Sequence, residues 1–462
     1  MRRPFFSRAP YIGSGVEFHE CREIFWLPVF YAQDFGDNGN TQERKPVHIR
    51  RSVIAAERHL KRLVVYCPGY DLRPVSQSFA LISSEFQNFL KIRQVRGAIS
   101  SVDAGSDPVR GDAIWAGHIE WPEGTVDTRL VQLGWRDVIR PDFERPWSRL
   151  MADALRSFYH YARAGGYGAV LKSSWAHSIF VLYPAVGLAL FCAISLLPPF
   201  LLAPFVLENV GAISPAGLRS PLSWFVLLVG SGLWIAAVYG FTRLIEPWTY
   251  FWYLVNSWYF MARLARNVHP DMLARIEEFA DTIVSLSEQA DDDEELVLVS
   301  HSCGTFVAIY IVAAVLRRKP DIAQRKGGFA FVTLGPAFEC LGGFGADRGF
   351  GEAMAAVARA GVDWTDIYGP QDIVCGGRTS PVARYASKSD GVSISREPRR
   401  FSVCIPDRMP AEKLRYLRFR FFRLHFCYFL ASLRPDLFDL YRLMFGPEPA
   451  ARQLETWAGH KG

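Results

Sequence analysis

Residues Glu295 to Val315 read ELVLVSHSCGTFVAIYIVAAV, and this stretch decides the predicted fold. An apolar, β-rich run from Leu296 to Val299 comes first, Ser300 to Gly304 follow, and an apolar run at helical spacing comes last. That order predicts a strand, a tight turn and a helix, with Ser302 at the turn. Small residues flank Ser302, which leaves room for a sharply bent backbone. The first N–H groups of the helix would face the same point and could hold a negative charge there.

This turn resembles the nucleophile elbow of the α/β-hydrolase superfamily, whose usual form is G-x-S-x-G. Gly304 matches the second glycine, whereas Ser300 stands in place of the first. The resemblance implies that Ser302 is a catalytic nucleophile, which needs a base and an orienting acid. From the residues alone, the alternative is a buried strand followed by a helix that a serine caps.

In that superfamily an acid follows the serine along the chain, and a histidine follows the acid. Asp372 fits the acid, because it comes after a predicted strand, Trp364 to Tyr368, and a Gly-Pro turn. Asp363 and Asp366 are the runners-up, within or before that strand. The alternative for Asp372 is an aspartate that caps a turn.

Two histidines, His425 and His460, lie beyond the predicted acid. His460 falls in a polar tail, so His425, flanked by apolar residues, is the predicted general base. It lies well beyond the predicted strand Phe401 to Ile405 in a helical context, whereas the base of the superfamily usually follows the last strand directly. The alternative is a packed helix histidine. His301, beside the serine, is predicted to pack and not to act as the base.

The run Arg62 to Asp71 (RLVVYCPGYD) predicts a strand that enters a tight turn. In α/β-hydrolases a backbone N–H at such a turn supplies half of the oxyanion hole. The resemblance therefore assigns Gly69 and Tyr70 to that turn, and Cys303 to the other half through its N–H. The alternative is an ordinary β-turn.

Two long runs carry no charged residue. Ser173 to Leu207 and Ser220 to Thr242 each reach the roughly 20 apolar residues that span a bilayer. They predict two transmembrane helices, about 177–199 and 221–243, with a pair of buried core helices as the alternative. Basic residues flank the outer ends of the pair: Arg156, Arg163 and Lys172 before it, and Arg243, Arg263 and Arg266 after it.

The short connection contains only Arg219 and Glu208, so the positive-inside rule places both outer flanks in the cytoplasm. This predicts a two-pass protein of the bacterial inner membrane. The aromatic run Trp248 to Phe260 predicts an interface belt. Lys413 to Arg423 (KLRYLRFRFFR) predicts a helix with one face on the protein and a basic face toward water or anionic lipid.

The predicted fold class is α/β, with an α/β-hydrolase-like, mostly parallel sheet that helices flank and a transmembrane hairpin interrupts. The boundaries are 1–170 for the first half of the hydrolase domain, 171–246 for the hairpin and 247–462 for the second half, which carries the triad.

Near the N-terminus, Arg22 to Tyr31 predicts a strand, Asp34 to Asn40 a polar loop and Ser52 to Leu60 a short helix. Further strands are predicted at Val95 to Val102, Ala113 to Trp121, Thr125 to Trp135, Gly328 to Gly335 and Gly361 to Gly369. Helices are predicted at Val75 to Ile92, Trp147 to Tyr161 and Met272 to Gln289, residues 103 to 113 predict a loop, and Asp291 to Glu295 a solvated loop.

Composition limits the function classes. With 462 residues, 50% of them hydrophobic, the chain can bury a large core and is not a disordered protein. The net charge of +6 is modest and no nucleic-acid-binding motif is present, so no nucleic acid partner is expected. The 8 cysteines form no CxxC pair and no Cys/His cluster at zinc spacing, so neither metal nor cofactor is predicted. Small buried thiols are expected rather than a redox centre. The N-terminus lacks the apolar run of a secretory signal.

These features predict a membrane-anchored serine esterase or lipase that acts on an acyl ester, with lipid or a small ester as substrate. One alternative is an acyltransferase or thioesterase that uses the same triad. The other is an inactive hydrolase fold that serves as a membrane interaction protein. The sequence carries no indication of the oligomeric state.

Overall fold

A computed structural model of the protein describes residues 58–213, 221–345, 349–377, 379–386, 396–417 and 419–459. The predicted strand Arg22 to Tyr31 and the loop Asp34 to Asn40 lie outside the described residues, as does His460. The helix predicted over Ser52 to Leu60 is wrong where it can be compared, because residues 58–60 already belong to a strand. Those residues pair with a neighbouring strand from Arg58 onward, and this pairing sets their conformation.

An eight-stranded sheet forms the centre of the described part of the chain, in the order β2-β3-β4-β1-β5-β6-β7-β8. The strands from β4 to β8 in that order run parallel, and the hairpins β2–β3 and β3–β4 add antiparallel strands at one edge. The fold is therefore α/β with a mostly parallel sheet, as predicted. The strands are β1 (Arg58–Cys67), β2 (Arg96–Asp107), β3 (Asp112–Trp121), β4 (Gly124–Gln132), β5 (Glu295–His301), β6 (Phe329–Leu334), β7 (Asp363–Tyr368) and β8 (Arg399–Ser402).

Strands β1 and β5 join the parts of the chain that precede and follow the two long apolar runs. They pair in parallel, with Tyr66 opposite Val299. Every residue of β5 is buried, which suits a strand covered by helices on both faces. Leu296 and Leu298 of β5 pack into one core, and Val297 and Val299 pack into a second core on the opposite face. The period of two residues in β5 thus places the sheet between two helical layers.

Helices cover both faces of the sheet. The first core contains side chains of α8, α9, α10 and α12, and the second contains those of α1, α16 and α17. The helices are α1 (Val75–Arg93), α2 (Arg136–Phe143), α3 (Trp147–Arg163), α4 (Gly166–Ser173), α5 (Trp175–Ile213), α6 (Pro221–Leu244), α7 (Glu246–Thr249), α8 (Phe251–Ala265), α9 (Pro270–Gln289), α10 (Cys303–Arg318), α11 (Phe338–Gly342), α12 (Phe350–Arg359), α13 (Pro381–Tyr385), α14 (Ala411–Leu417), α15 (Phe421–His425), α16 (Leu440–Phe445) and α17 (Ala450–Gly459).

Helices α5 and α6 form a hairpin inserted between β4 and β5. Trp175–Asn209 has a mean hydropathy of 2.3 and Pro221–Leu244 one of 1.8, and both are long and apolar enough to cross a membrane. The first helix is longer than the predicted span of about 177–199, because it continues through Pro198, Pro199 and Pro204 to Ile213. The apolar sequence also continues there, and proline is tolerated in apolar helices of this length.

Several local predictions are wrong. The aromatic run Trp248 to Phe260 is not an exposed belt, because most of α8 is buried in the core. Of the three tryptophans in the run, Trp252 and Trp258 are buried and Trp248, which precedes α8, is largely exposed. Glu295 is not part of a solvated loop but a buried residue of β5 that pairs with Arg62. The helix predicted over Lys413 to Arg423 is split between two short helices, α14 (Ala411–Leu417) and α15 (Phe421–His425).

Other strand boundaries also differ from the prediction. β2 extends to Asp107, into the predicted loop, because it pairs with β3 up to that residue. β4 ends at Gln132, and β8 ends at Ser402 before a 3-10 helix at Ile405–Arg408.

Candidate active site

Ser302 occupies the turn between β5 and α10 in a strained backbone conformation. Its φ of 56° and ψ of −129° lie in a region that residues with a side chain rarely adopt. The surrounding hydrogen bonds hold it there: the Ser302 N–H donates to Leu334 O at 3.1 Å, and the Thr305 hydroxyl donates to Ser302 O at 2.6 Å. The side chain is half-buried, unlike the fully buried residue before it. Strain of this kind, imposed by packing, is typical of functional residues.

Two glycines allow the end of β1 to approach the Ser302 turn. A Cβ at Gly304 would lie 2.5 Å from the carbonyl oxygens of Cys67 and Pro68, so α10 could not begin so close to β1 with a larger residue. A Cβ at Gly69 would lie 3.1 Å from Ser302 Cβ and 3.6 Å from its hydroxyl oxygen. The turn after β1 therefore lies directly beside the Ser302 side chain, where the resemblance placed it.

Asp372 and His425 are hydrogen-bonded to each other although 53 residues separate them. Nδ1 of His425 donates to Asp372 Oδ2 at 2.6 Å, and both side chains are buried. The Tyr428 hydroxyl donates to the same carboxylate oxygen at 3.1 Å, and the Val374 N–H donates to the other oxygen at 3.1 Å. These donors fix the carboxylate, and the carboxylate fixes the imidazole with Nδ1 protonated. Nε2 is then the nitrogen that can accept a proton.

Nε2 of His425 is buried and has no hydrogen-bond partner within the described part of the chain. It is therefore not hydrogen-bonded to the Ser302 hydroxyl, but the ring lies against His301, the residue before Ser302, and close to Gly335. The His301 ring is 4.6 Å from that of His425 between centroids, and Cε1 of His425 lies 3.0 Å from where Gly335 would have a Cβ. Gly335 follows Leu334, whose carbonyl accepts the Ser302 N–H. A buried, unpaired imidazole nitrogen near the Ser302 turn is suited to general-base chemistry, in which unliganded sites often have long serine–histidine distances.

His301 holds the main chain of His425. Its Nε2–H donates to His425 O at 3.0 Å, and burial keeps the pKa of His301 well below its ordinary value, with the neighbouring His425 acting in the same direction. His301 is therefore neutral at neutral pH. It does more than the packing predicted for it, because it also positions the segment that carries His425.

Tyr70 is held at both ends, which fixes the backbone beside the Ser302 turn. Its hydroxyl donates to Asp142 Oδ2 at 2.9 Å, and its carbonyl accepts a hydrogen bond from the Tyr253 hydroxyl. Hydrogen bonding by the Tyr70 main chain and the Ser302 hydroxyl acts against the effect of burial on the pKa of the Cys303 thiol, so both groups lie next to that thiol. The turn that carries Tyr70 and the first turn of α10 therefore lie close together at Ser302.

Burial raises the pKa of Asp142 to about 6, while the hydrogen bond from Tyr70 and the cations Arg145 and Arg263 act in the opposite direction. Burial also raises the pKa of the Cys303 thiol to about 11, so this thiol is protonated at neutral pH. The same cause raises the pKa values of Cys67, Cys375 and Cys427. These cysteines have the character of buried, protonated thiols and not of reactive thiolates.

The runner-up acids lie elsewhere. Asp366 accepts from the Thr333 hydroxyl at 2.6 Å, and burial raises its pKa to about 6. Asp363 pairs with Arg396 and Arg399. Neither is bonded to His425. Among the described residues, no group of three or more His, Cys, Asp or Glu side chains could hold a metal ion.

The first turns of α5 contact the loop that carries Asp372, which we call the acid loop, and also α15, the helix that carries His425. Nδ1–H of His177 donates to the carbonyl of Ile373, the residue after Asp372, at 2.9 Å. Phe180 packs on Phe422 of α15 at 5.8 Å between ring centroids, three residues before His425. The hairpin is therefore in contact with the two segments that carry Asp372 and His425.

No sequence pattern predicted four residues that support the site: Tyr428, Tyr253, Asp142 and His177. Each one contacts a site residue distant in sequence, so no local pattern marks it. The one available signal was the burial of polar groups near an apolar site, which requires partners.

Comparison with protein-family models, curated proteins and solved structures gives no match to this chain. Its function is therefore inferred from these residues and their geometry.

Proposed function

We propose that this chain is a membrane-anchored serine hydrolase of the α/β-hydrolase type that cleaves acyl esters, with Ser302, His425 and Asp372 as its triad. The observation that carries the proposal is the pair Asp372–His425, at 2.6 Å, with the remaining imidazole nitrogen buried and unpaired in the described structure. An imidazole held in one tautomer by a buried carboxylate is the arrangement that activates a serine. The strained turn at Ser302, next to that ring, supports the same assignment.

In the proposed reaction, the Ser302 hydroxyl oxygen attacks the acyl carbonyl carbon, and its proton passes to Nε2 of His425. The N–H groups of Cys303 and Tyr70 hold the oxygen that becomes negative, and removal of one such donor typically costs about 3 kcal/mol of barrier stabilisation. The alcohol leaves with the proton from Nε2. Water then attacks the acyl carbon and gives its proton to Nε2; the bond to the Ser302 oxygen breaks, that oxygen takes the proton back from Nε2, and the acid is released. Asp372 stabilises the imidazolium in both steps.

The membrane part of the proposal rests on the α5–α6 hairpin, whose long apolar helices expose most of their side chains. Exposed leucine and phenylalanine side chains along two such helices suit lipid and not water. The basic flanks support a cytoplasmic position for the sheet and the triad, in the manner of a bacterial inner-membrane protein. Contacts from His177 and Phe180 put the triad near the end of the hairpin, where an acyl chain could reach it from the bilayer.

The test uses the full-length protein in detergent, a fluorophosphonate probe and a short-chain nitrophenyl ester. We expect the parent protein to be labelled and to hydrolyse the ester. We also expect Ser302→Ala and His425→Gln to lose labelling and roughly 10⁴-fold or more in kcat, as triad variants do. Asp372→Asn should lose less than either, since both the serine and the histidine remain.

The matched control is Asp366→Asn, which changes a buried aspartate of the same region that does not contact His425. It should keep most of the activity. Hydrolysis that survives Ser302→Ala, or a folded parent that the probe does not label, would refute the assignment. Addition of an alcohol or thiol acceptor separates ester hydrolysis from acyl transfer, because only a transferase gives the new ester as its main product.

A further inference from the structure

The segment 411–423, which we call the basic-aromatic segment, exposes both aromatic and cationic side chains. Phe419 is 77% exposed, and Tyr416 and Phe421 are each 43% exposed. Arg415 and Arg420 are exposed as well. Exposed phenylalanines in such a short, otherwise cationic segment are unusual for a surface that faces only water, and they are typical of an interaction site.

The contacts of Phe422 fix where this segment lies relative to the hairpin. Its ring is 4.1 Å from that of Tyr250 and 5.8 Å from that of Phe180, between centroids. Tyr250 follows the C-terminal end of the hairpin, and Phe180 lies in the second turn of α5. The basic-aromatic segment is therefore at the end of the hairpin where the chain enters and leaves it.

Exposed tryptophans mark the same end. Trp175, the first residue of α5, is 69% exposed, and Trp248, shortly after α6, is 75% exposed. Tryptophans at the ends of transmembrane helices lie at the level of the lipid headgroups. If the hairpin spans a bilayer, the contacts of Phe422 bring the basic-aromatic segment to that level too.

The charge of the segment indicates which surface it fits. Between residues 411 and 423 the sequence has one lysine and four arginines against a single acid, Glu412. Arg420 stacks over the Tyr416 ring at 3.9 Å and donates to its hydroxyl at 2.6 Å, which holds this guanidinium at the exposed surface. Arginine and aromatic side chains together suit a headgroup layer that carries phosphate, and anionic lipid adds attraction for each cation.

We propose that residues 411–423 lie on the anionic phospholipid headgroups of the membrane into which the hairpin inserts, and so hold α15 and His425 at the lipid surface. This inference rests on the membrane insertion in the proposed function, and not on the catalytic chemistry. It makes the segment a second attachment to the bilayer, beside the site. The contact should weaken when anionic lipid is replaced by zwitterionic lipid.

The test measures the depth of single labels on the full-length protein in liposomes. A nitrobenzoxadiazole label is placed at Phe419→Cys, at Leu228→Cys in the middle of α6, or at Ser285→Cys. Ser285 is an exposed residue in the last turns of α9, which leads to the start of β5. The Ser302 turn lies at the opposite end of that strand. Liposomes contain phosphatidylcholine alone or with phosphatidylglycerol, and a lipid-borne doxyl quencher. The fluorescence from label on native cysteines is measured with the parent protein and subtracted.

We expect the labels at 228 and 419 to be quenched and the label at 285 to be unaffected, with quenching at 419 several-fold stronger when phosphatidylglycerol is present. Quenching at 228 without quenching at 419 would overturn the inference and leave the anchor intact. No quenching at 228 would overturn both, while ester hydrolysis, measured separately, would still decide the catalytic proposal.

A second arm tests the role of charge. Arg415→Gln combined with Arg420→Gln, in the Phe419→Cys background, should remove the extra quenching that phosphatidylglycerol produces. The matched control is Arg317→Gln, an exposed arginine at the far end of α10, about 20 Å along the helix from the Ser302 turn. Equal effects of the two changes would contradict attraction to the headgroups by this segment.

Discussion

At the scale of single residues, the backbone conformation of Ser302 is energetically unfavourable, and the surrounding structure enforces it. A non-glycine residue in this region of φ and ψ costs roughly 1–3 kcal/mol, and the hydrogen bonds from Thr305 and to Leu334 hold Ser302 in place. The nucleophile must have a side chain, so the strain cannot be relieved without loss of the proposed chemistry. Stability and activity therefore oppose each other at this position.

We predict that Ser302→Gly raises the midpoint of thermal unfolding while it abolishes ester hydrolysis. Glycine adopts a positive φ without steric cost, and this gain exceeds the roughly 0.5–1 kcal/mol of chain entropy that glycine adds to the unfolded state. Ser302→Ala is the control, because it removes the hydroxyl and keeps the strained Cβ. Equal midpoints for the two variants in the same detergent would show that the strain is negligible.

Asp142 supplies a prediction about pH. Burial raises its pKa in the folded protein to about 6, above the ordinary aspartate value of 3.8, so the folded state binds the proton more tightly than the unfolded state. The contribution of Asp142 to stability is therefore full below about pH 4 and is lost as the pH rises through 6. The loss is on the order of 3 kcal/mol.

Asp142→Asn should remove that dependence, since the amide still accepts from Tyr70 and does not titrate. Relative to the parent, the unfolding midpoint of the variant should rise between about pH 4 and pH 6 and then stay constant. Tyr70→Phe should raise the pKa of Asp142, because the Tyr70 hydroxyl stabilises the ionised carboxylate. The pH range over which stability is lost should therefore lie higher in this variant than in the parent. A constant difference between Asp142→Asn and the parent at all pH values would exclude this role.

The candidate triad residues could be found from the sequence because motif and chain order carry the information. Ser302 lies in a short local pattern, and Asp372 and His425 follow it in the order that the resemblance requires. Tyr428, which donates to Asp372, lies within the same turn as the base but has no motif of its own. Asp142 and His177 lie far along the chain from the groups that they hold, so only the folded structure brings them together.

At the scale of elements, α5 is not only a long apolar helix but also a support for the candidate site. His177 holds the carbonyl that follows Asp372, and Phe180 packs against the helix that carries His425. One helix thus supports the acid and the base at once. Movement of the first turns of α5 would change the geometry of both.

We predict that His177→Ala lowers kcat for ester hydrolysis roughly tenfold, with little change in the amount of folded protein, because the acid loop loses its donor. His177→Asn, whose amide can donate to the same carbonyl, should recover part of the activity. The matched control is Ser178→Ala, whose hydroxyl bonds only to the preceding turn, at Ser174 O. If the alanine variants at 177 and 178 behave alike, α5 does not support the acid loop.

Element boundaries show what periodicity can and cannot predict. The spacing of apolar residues located α1, α3 and α9 within a few residues, since each has one buried face. It also located α10, which is buried on nearly all sides. It failed for α8, because a helix rich in aromatic residues has the same composition whether it lies at a membrane interface or in a core, and α8 lies in the core. It also failed for Lys413 to Arg423, predicted as one helix, which the structure splits between α14 and α15.

At the scale of the whole molecule, a buried ion pair connects both ends of the described chain to the sheet centre. Arg62 of β1 donates to Glu295 of β5 at 2.6 Å and to the carbonyls of Leu443, Gly446 and Glu448, between 2.8 and 3.2 Å. The Ala450 N–H donates to the other oxygen of Glu295 at 2.5 Å. Two strands and the C-terminal helices therefore share one polar network.

We predict that Arg62→Gln destabilises the protein by roughly 3–5 kcal/mol, because it leaves Glu295 buried without its cation and several carbonyls without donors. Lys61→Gln is the matched control: the neighbouring cation pairs with Asp291 at the surface, and its loss should not change the unfolding midpoint measurably. A mild effect of Arg62→Gln in thermal unfolding would mean that water or a rearranged side chain satisfies the network.

The position of the hairpin between β4 and β5 has a consequence for synthesis on the ribosome. Arg62 and Glu295 are 233 residues apart, and both hairpin helices are made between them. During that interval β1, an apolar strand, lacks its neighbour β5 and presents an open edge of the kind that aggregates. If the hairpin inserts into a membrane, as proposed, delivery of the nascent chain to the insertion machinery must keep this edge shielded. Delayed insertion should then expose the first four strands to chaperones and proteases before the polypeptide is complete.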